Sequence, residues 1–170
     1  MTLHTDTFST HLGPFSVALS PAGALVATAF GDQSALSERL PRGAVSNVLR
    51  YKPGCAEAVR TQVAEYFAGH RREFDLSLAA EGTAFQQKVW RALQAIPFGR
   101  TLSYGALAAK LRMPRAARAV GRANATNPLC LIVPCHRVIG ADGSLTGFAF
   151  GEDLKQRLLE HEGSLAPRAV

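Results

Sequence analysis

The most informative stretch of this sequence spans residues 129–138 and reads Leu129-Cys130-Leu131-Ile132-Val133-Pro134-Cys135-His136-Arg137-Val138. Its first half is an unbroken apolar run, which indicates a buried strand. A neighbouring histidine raises the thiolate population of a cysteine at neutral pH. Adjacent residues on a regular strand point to opposite faces, and Val133, before a proline, should be extended. The backbone must therefore turn after Val133 if Cys135 and His136 are to share one site. The stretch predicts an activated thiol at the end of a buried strand.

Length and composition are those of a globular protein with one domain or two small ones. The 170 residues are 47% hydrophobic and 19% charged, as in ordinary folded domains. No apolar run approaches the ~18 residues of a membrane span, and the N-terminus lacks the pattern of a signal peptide. The three cysteines have no C-x-x-C spacing, which favours reduced thiols in an intracellular compartment over disulfides or a zinc site.

Basic residues are concentrated in the second half of the chain. Residues 1–80 hold seven Lys or Arg and seven Asp or Glu, whereas residues 81–170 hold twelve and six. Nine basic residues and no acidic one lie between residues 82 and 141. This asymmetry indicates either an ordinary solvated surface or a face that binds a polyanion, as in nucleic-acid-binding proteins.

Hydrophobic patterning predicts two halves that meet near residues 79–83, the first of them mixed in structure. Its expected elements are a β-hairpin over 7–30, a short helix over 34–40, a helix over 55–68 and an extended segment over 74–78. The second half is expected to be mostly helical, with helices over 85–96, 104–111 and 114–124 and a last helix with Leu154, Leu158 and Leu159 inward.

Two of these helices, over 104–111 and 114–124, resemble a helix-turn-helix. Ser103 is expected to cap the first, and Pro114 to stand in the first turn of the second. Arg115, Arg118 and Arg122 then share one face of a helix that otherwise holds mainly small residues. Small side chains allow a close approach, and arginines contact phosphates. An ordinary solvated helix is the alternative, but the setting and the regional charge favour DNA binding.

Cys135 is the candidate nucleophile, and His136 is the base expected to take its proton. Cys130 lies inside the apolar run and is the better candidate for a structural thiol, while Cys55 is expected to be inert. A third group should orient the histidine. Spacing alone does not choose among the acids of the second half, which are Glu81, Asp142, Glu152, Asp153, Glu160 and Glu162.

Further motifs accompany the Cys-His pair in a consistent order. They are Gly82-Thr83-Ala84-Phe85-Gln86 with Val89-Trp90, Ile96-Pro97-Phe98-Gly99, Ser103-Tyr104-Gly105, Ala116-Ala117-Arg118-Ala119-Val120-Gly121, Asn127-Pro128, Pro134-Cys135-His136-Arg137-Val138, Leu158-Leu159 and His161-Glu162-Gly163. With them the chain resembles the methylated-DNA–protein-cysteine methyltransferases, or O6-alkylguanine-DNA alkyltransferases, over roughly residues 7–163. The resemblance implies an α+β fold: a ribonuclease-H-like α/β domain over 1–79, then a mostly helical winged-helix-like domain over 80–170.

The resemblance also implies DNA repair by direct reversal of damage. Cys135 would take an alkyl group from O6 of guanine, and from O4 of thymine, in double-stranded DNA, irreversibly and once per molecule. His136 would activate the thiol through a water, Glu162 would orient the histidine, and Asn127 would brace the turn. No cofactor, metal, membrane or obligate protein partner is implied. A monomer is expected, in the cytoplasm or in the nucleus of a eukaryote.

The implied DNA interface is the helix over 114–124, placed in the minor groove. Arg118 would enter the base stack in place of the flipped nucleotide, since the target atom is inaccessible in a stacked duplex. Tyr104 would help rotate the phosphate and meet the flipped base, whose amino group would donate to the carbonyls of Cys135 and Val138. Further DNA contacts are expected from Ser103, Arg115, Ala117 and Arg122.

One segment of the implied substrate pocket departs from the family pattern Gly-Tyr-x-Gly-Gly. Here it reads Gly147-Phe148-Ala149-Phe150-Gly151. Phe148 lacks the tyrosine hydroxyl, Ala149 lacks the serine hydroxyl of some members, and Phe150 adds bulk at the rim where a glycine is usual. We therefore expect methyl adducts to be repaired and bulky aryl adducts to react poorly.

Three other functions each explain part of the pattern. A noncatalytic alkyltransferase-like protein would bind lesions, but such proteins replace the reactive cysteine that stands here as Cys135. A helix-turn-helix regulator would leave Cys135, His136 and Glu162 without a role. A cysteine hydrolase would leave the basic helix unexplained.

Overall fold

The computed structural model describes residues 1–41 and 47–165, and it is mixed α and β, as expected. The chain forms two compact units, Met1–Glu81 with Pro128–Ile132, and Gly82–Asn127 with the chain from Val133 onward. The division after Glu81 lies close to the predicted boundary. Pro128–Ile132 belongs to the first unit although the sequence suggested the second, because its backbone bonds to Thr28, whose N–H donates to the Pro128 carbonyl at 2.8 Å.

The first unit is built on a four-stranded sheet with helices α1 and α2. Its elements are β1 (Thr2–Thr10), β2 (Gly13–Leu19), β3 (Leu25–Phe30), α1 (Gln33–Arg39), β4 (Val48–Tyr51) and α2 (Glu57–Phe67). The strand order is β3-β2-β1-β4, antiparallel except for the parallel β1–β4 pair. Every residue of β3 is buried. The predicted hairpin and both predicted helices are confirmed, whereas the segment over 74–78 contributes only a single bridge, from Leu78 to Leu25.

The second unit is mainly helical. Its elements are α3 (Ala84–Gln94), β5 (Leu102–Ser103), α4 (Tyr104–Lys110), α5 (Ala117–Ala125), a 3₁₀ turn (Cys135–Arg137), β6 (Val138–Ile139) and α6 (Glu152–His161). The predicted cap of α4 is confirmed, since the Ser103 hydroxyl accepts the Ala106 N–H at 3.0 Å. The indole N–H of Trp90 donates to the Ala123 carbonyl at 2.8 Å and joins α3 to α5.

Helix α5 begins later than the sequence predicted. Pro114 stands in a turn rather than in the first helical turn, because the chain leaves α4 with Arg112 in the left-handed region (φ 59°). The Ala116 N–H then closes a tight turn on the Met113 carbonyl at 2.9 Å. Arg115 therefore lies outside the helix, and the predicted face of three arginines is reduced to Arg118 and Arg122, one turn apart.

The apolar run before the Cys-His pair is buried, but the prediction that it forms a strand was wrong. Leu129 makes one bridge, to Thr28, and the chain then turns. Leu131 adopts a left-handed conformation (φ 71°), which is rare for a bulky residue and which breaks an extended path. The chain thus reverses before Pro134, and the 3₁₀ turn places Cys135 and His136 on a curved backbone rather than on opposite faces of a strand.

None of the helices in the two described ranges combines the length and the apolarity that crossing a membrane requires.

Candidate functional site

The centre of the second unit is a buried carboxylate, that of Glu162. His136 Nε2 lies 2.9 Å from its Oε2. Arg137 donates to both oxygens, from Nε to Oε1 at 2.8 Å and from Nη2 to Oε2 at 2.9 Å. Of the six acids that the sequence left open, all of which the structure describes, Glu162 alone is buried. Geometry therefore selects it as the group that orients His136.

The two titratable partners are held in fixed ionisation states. Burial alone would raise the pKa of Glu162, but the hydrogen bonds from Arg137 and His136 outweigh it and hold that pKa far below its usual range. For His136, burial lowers the pKa despite the neighbouring carboxylate, because an imidazolium loses its hydration. The pair at neutral pH is thus an ionised Glu162 and a neutral His136, a histidine able to act as a base.

His136 contacts Glu162 through one ring nitrogen only. The other nitrogen, Nδ1, is buried and has no hydrogen-bond partner within residues 1–41 and 47–165. The side chain has 0% exposure. The ring therefore uses one nitrogen for the carboxylate and leaves the other without a hydrogen bond in these ranges.

Two asparagines brace the turn that carries Cys135. The Asn127 amide donates to the Val133 carbonyl at 2.9 Å, and the Asn124 amide donates to the Cys135 carbonyl at 3.2 Å. The Val138 N–H also donates to the Cys135 carbonyl. Both lone pairs of that oxygen are thus engaged, which leaves less room than the sequence suggested for a bond from a guanine amino group.

The other two thiols lie in the first unit. Cys130 is buried, with its sulfur 3.4 Å from the Thr28 hydroxyl, as suits a structural thiol. Burial raises the pKa of Cys55, and nearby Asp6 adds to the effect, so that this thiol is less easily ionised. No group of three or more His, Cys, Asp or Glu suited to a metal ion occurs in the described parts of the chain.

A cavity of about 590 Å³ opens on the surface formed by α4, α5 and the loop before α6. Its walls are Tyr104, Ala117, Arg118, Gly121, Arg122, Ala125, Thr146 and Gly147. Four of the residues predicted to bind DNA thus meet at one place, with Arg118 and Arg122 exposed. Ser103 and Arg115 do not line it: Ser103 caps α4, and Arg115 precedes α5. The cavity brings an aromatic ring and two guanidinium groups around one hollow.

Two glycines leave space for the tyrosine in this cavity. A Cβ on Gly121 would stand 3.7 Å from the Tyr104 ring, in ordinary van der Waals contact with it. Gly147 has a φ of +84°, and a Cβ there would lie 2.6 Å from the Tyr104 hydroxyl. The hydroxyl donates to the Thr146 carbonyl at 2.8 Å. Burial, and then the nearby Cys135, raise the pKa of Tyr104, which keeps the phenol a hydrogen-bond donor.

A buried lysine, Lys155, stands on α6 among the groups around Cys135. Its ammonium donates to the Thr146 carbonyl at 3.3 Å and lies 5.8 Å from the centre of the Tyr104 ring. Burial lowers the pKa of Lys155 to about 8, although Cys135 and Glu152 oppose the shift. Lys155 rather than Leu154 occupies the inner face of α6, where the sequence analysis expected leucine; Leu154 is only half-buried.

The remaining pocket residues predicted from the sequence lie elsewhere in the second unit. Val138 is buried in β6. Phe148 is buried and its ring centre is 5.7 Å from that of half-buried Phe150, while Ala149 is exposed. None of these four lines the 590 Å³ cavity. Their role toward a substrate stays a prediction.

The sequence patterns assigned no role to Arg137, although it stands in the opening stretch, and none to Asn124 or Lys155. A signal existed for Lys155, which precedes Leu158 and Leu159 by three and four residues and so shares their buried face. Asn124 likewise lies four residues after buried Val120. Arg137 gave no comparable signal, because its partner Glu162 is distant in the chain.

Comparison with known proteins identifies the class to which this unit belongs. Residues 84–164 match the family model described as "6-O-methylguanine DNA methyltransferase, DNA binding domain". The matched range contains α3 to α6 and the whole Glu162 network.

Relatives extend the match beyond this range. A methylated-DNA–protein-cysteine methyltransferase of Methanosarcina acetivorans is 56% identical over 103 residues, which are 61% of this chain and 66% of the relative. One of Mycobacterium tuberculosis is 54% identical over 115 residues, 68% of this chain and 70% of the relative. A crystal structure of Mycobacterium tuberculosis OGT in complex with DNA is 40% identical, covers 95% of this chain and 93% of that chain, and has a TM-score of 0.80. The chain belongs to the methylated-DNA–protein-cysteine methyltransferase family.

Replacement of the buried lysine by an uncharged side chain of similar length should stabilise the fold at neutral pH. We expect Lys155→Met to raise the free energy of unfolding by about 2 kcal/mol at pH 7, since burying an ammonium is costly. The folded wild type releases the proton near pH 8 and the unfolded chain near pH 10.5. The unfolded state binds more protons between these values, so wild-type stability rises there and the advantage of the variant shrinks.

Urea unfolding of both proteins between pH 7 and 10.5 measures this difference. Lys110→Met, which removes an exposed lysine of α4, is the matched control and should show no such pH dependence. A Lys155→Met protein less stable than the wild type at pH 7 would mean that the contacts to Thr146 and Tyr104 outweigh the cost of burial.

Proposed function

We propose that this protein repairs DNA by taking the alkyl group from O6-alkylguanine, and from O4-alkylthymine, onto Cys135, once per molecule. One observation carries the proposal: His136, which is buried and lies 2.9 Å from the Glu162 carboxylate, directly follows Cys135 on one 3₁₀ turn. That turn lies in the unit that matches a DNA-binding domain. The names of the relatives, which describe transfer to a protein cysteine, support the same reaction.

The proposed reaction is a displacement at the alkyl carbon. His136 Nδ1 takes the thiol proton through a water, and the Cys135 sulfur attacks the carbon attached to O6. The S–C bond forms as the C–O6 bond breaks, and the electron pair of the broken bond remains with guanine. The proton that the thiol lost is then delivered to N1 of guanine. Thiolate suits this step because it is a strong nucleophile. Tyr104, a phenol with a raised pKa, has a single O–H that donates to the Thr146 carbonyl in this structure; in this proposal it exchanges that bond for one to the leaving base.

DNA recognition in this proposal uses α5 and the cavity beside it. The helix lies in the minor groove, and Arg118 enters the stack after the damaged nucleotide turns outward. Arg122, Arg115 and Ser103 contact the phosphate backbone, while Ala117 permits the close approach. The flipped base meets Tyr104 and the segment of Val138, Phe148, Ala149 and Phe150.

The finer assignments of architecture belong to the same proposal. The first unit is ribonuclease-H-like, and α4 with α5 forms the helix-turn-helix of a winged-helix-like second unit. The protein acts as a monomer, since one thiol serves one lesion. It works in the cytoplasm, or in a nucleus, where the reducing environment keeps Cys135 a thiol.

The noncatalytic alternative is not favoured. The curated relatives carry the name methyltransferase, and this chain has Cys135 at the position where the family resemblance expects the reactive cysteine. A regulator or a cysteine hydrolase would not explain the Glu162 network together with the cavity on α5.

Exposure to a duplex with one O6-methylguanine should add one methyl group to the wild-type protein, at Cys135. The sulfur is the only group in the proposal that forms a bond to carbon, so Cys135→Ser should gain nothing yet still bind the lesion. Intact mass followed by peptide mapping makes the measurement. Cys55→Ser and Cys130→Ser, which leave the proposed nucleophile in place, should still gain the methyl group. An unchanged wild-type mass despite lesion-selective binding would contradict the proposed reaction.

Loss of the arginine that enters the stack should slow repair mainly in duplex DNA. We expect Arg118→Ala to lower the rate of methyl transfer from a duplex about tenfold or more, because an extruded base then leaves an unfilled stack. A single-stranded substrate has no such stack and should be affected much less. Arg157→Ala, at an exposed arginine paired with Asp153 on α6, is the control. Equal losses on both substrates would argue against a stacking role.

The bulky rim residue should restrict the adducts that react. We expect the wild type to react much faster with O6-methylguanine than with O6-benzylguanine in DNA, and Phe150→Gly to speed the benzyl reaction selectively. Phe150→Tyr keeps the bulk and should behave like the wild type. Rates come from single-turnover transfer at matched DNA concentration. Comparable wild-type rates for the two adducts would sink this hypothesis.

A further inference from the structure

We propose that Arg137 is a positioning residue: it holds Glu162 as an acceptor-only carboxylate and thereby fixes His136 in the tautomer that carries its proton on Nε2. This inference rests on the proposed function, in which His136 acts as the base toward Cys135. It concerns how the base is prepared rather than which bond is formed.

The guanidinium group of Arg137 contacts both oxygens of Glu162. Arg137 is 6% exposed. Its Nε and Nη2 donate to the two oxygens of Glu162 at 2.8 and 2.9 Å, and its Nη1 donates to the Ile96 carbonyl at 2.7 Å. A guanidinium fork matches a carboxylate in this two-point geometry and has no lone pair with which to accept. All three guanidinium nitrogens of Arg137 thus donate to acceptors.

The contacts of Arg137 determine whether Glu162 carries a proton. A buried carboxyl group without a cationic partner would tend to take up a proton. Arginine does not lose its own proton in proteins, so its charge on both oxygens keeps Glu162 ionised. An ionised carboxylate can only accept hydrogen bonds. The atom that faces Oε2 at 2.9 Å, His136 Nε2, must therefore be the donor.

The tautomer of His136 determines which of its ring nitrogens is basic. A neutral imidazole with its proton on Nε2 has its lone pair on Nδ1. Nδ1 is the buried nitrogen that has no hydrogen-bond partner in the described part of the chain. Burial, and to a lesser extent the positive charge of Arg137, disfavour a second proton on the ring. Arg137 thus leaves a basic nitrogen ready, although it does not touch the thiol chemistry itself.

A merely structural role is the competing explanation. The same guanidinium bonds to Ile96 and lies 5.9 Å from the centre of the Phe98 ring, so its loss would also weaken packing. A structural role would change only stability, whereas the proposed role changes the position of a proton. The test must therefore report on the tautomer.

The wild type provides the first measurement. With ¹⁵N-labelled histidine, the ring nitrogens of His136 can be distinguished among five histidines by their loss in His136→Gln. The expected spectrum is that of the neutral Nε2–H tautomer. A spectrum of the Nδ1–H tautomer, or of an imidazolium, at neutral pH overturns the proposal.

Variants provide the second measurement. We expect Arg137→Met to shift His136 toward the Nδ1–H tautomer and to lower the rate of Cys135 alkylation by iodoacetamide about 100-fold, which is the lower range for a general base. Arg137→Lys keeps the charge without the fork and should retain the Nε2–H tautomer with an intermediate rate. Arg157→Met removes an exposed arginine and should change neither. A folded Arg137→Met protein with the wild-type tautomer and rate overturns the proposal. If that variant does not fold, the wild-type spectrum and Arg137→Lys decide, and loss of the Nε2–H tautomer in a folded Arg137→Lys protein is then the contrary result.

Neither measurement uses DNA, which separates this inference from the proposed function. A wild type that takes no methyl group from DNA but depends on Arg137 for its tautomer and thiol reactivity would refute the repair reaction alone. A wild type that is methylated at Cys135 and does not depend on Arg137 would refute the positioning role alone.

Discussion

The second unit depends on one buried carboxylate. Glu162 accepts hydrogen bonds from His136 and from two nitrogens of Arg137, and it has no room to be solvated. A buried charge is tolerable only when it is paired and hydrogen-bonded, so the end of α6 must meet the 3₁₀ turn in one arrangement. The Ile96 carbonyl, just beyond α3, joins the same network because it accepts a hydrogen bond from Nη1 of Arg137. Three segments that are distant in the chain are held by one set of donors.

The path of the chain before the site follows from a second constraint. All residues from Asn127 to Val138 are buried, and buried backbone groups need internal partners. A strand would satisfy them by pairing, but this segment turns, and the amides of Asn127 and Asn124 bond to carbonyls along it. The left-handed conformation of Leu131 adds local strain. A rigid, internally bonded turn of this kind can present a thiol without exposing it fully to solvent.

Around the thiol, the requirements of folding stability conflict with those of the proposed reaction. Lys155 and His136 both have a pKa lowered by burial. Each therefore lowers the free energy of unfolding at pH values below the pKa that it has in the unfolded chain. An apolar core would be more stable, yet it would supply neither a base nor a positive field for a thiolate. The neighbouring cavity is lined by exposed arginines on α5, where the charge is solvated and available to a polyanion. Charges in this unit are thus divided between a buried set around His136 and Glu162 and an exposed set on α5.

The sequence by itself determined the position of the Cys-His pair, the two-part organisation, most helices and the basic character of the second half. These features are local: periodicity, caps and charge are read within one or two turns of chain. The sequence did not reveal that residues 129–133 turn, because an apolar run reads alike in a strand and in a buried turn. It placed Arg115 on a helix that begins only at Ala117. Spacing left six acids open, and only the family resemblance pointed to Glu162. The tertiary structure shows that Glu162 is buried and joined to Arg137, because a buried ion pair depends on distances between segments that sequence spacing does not contain.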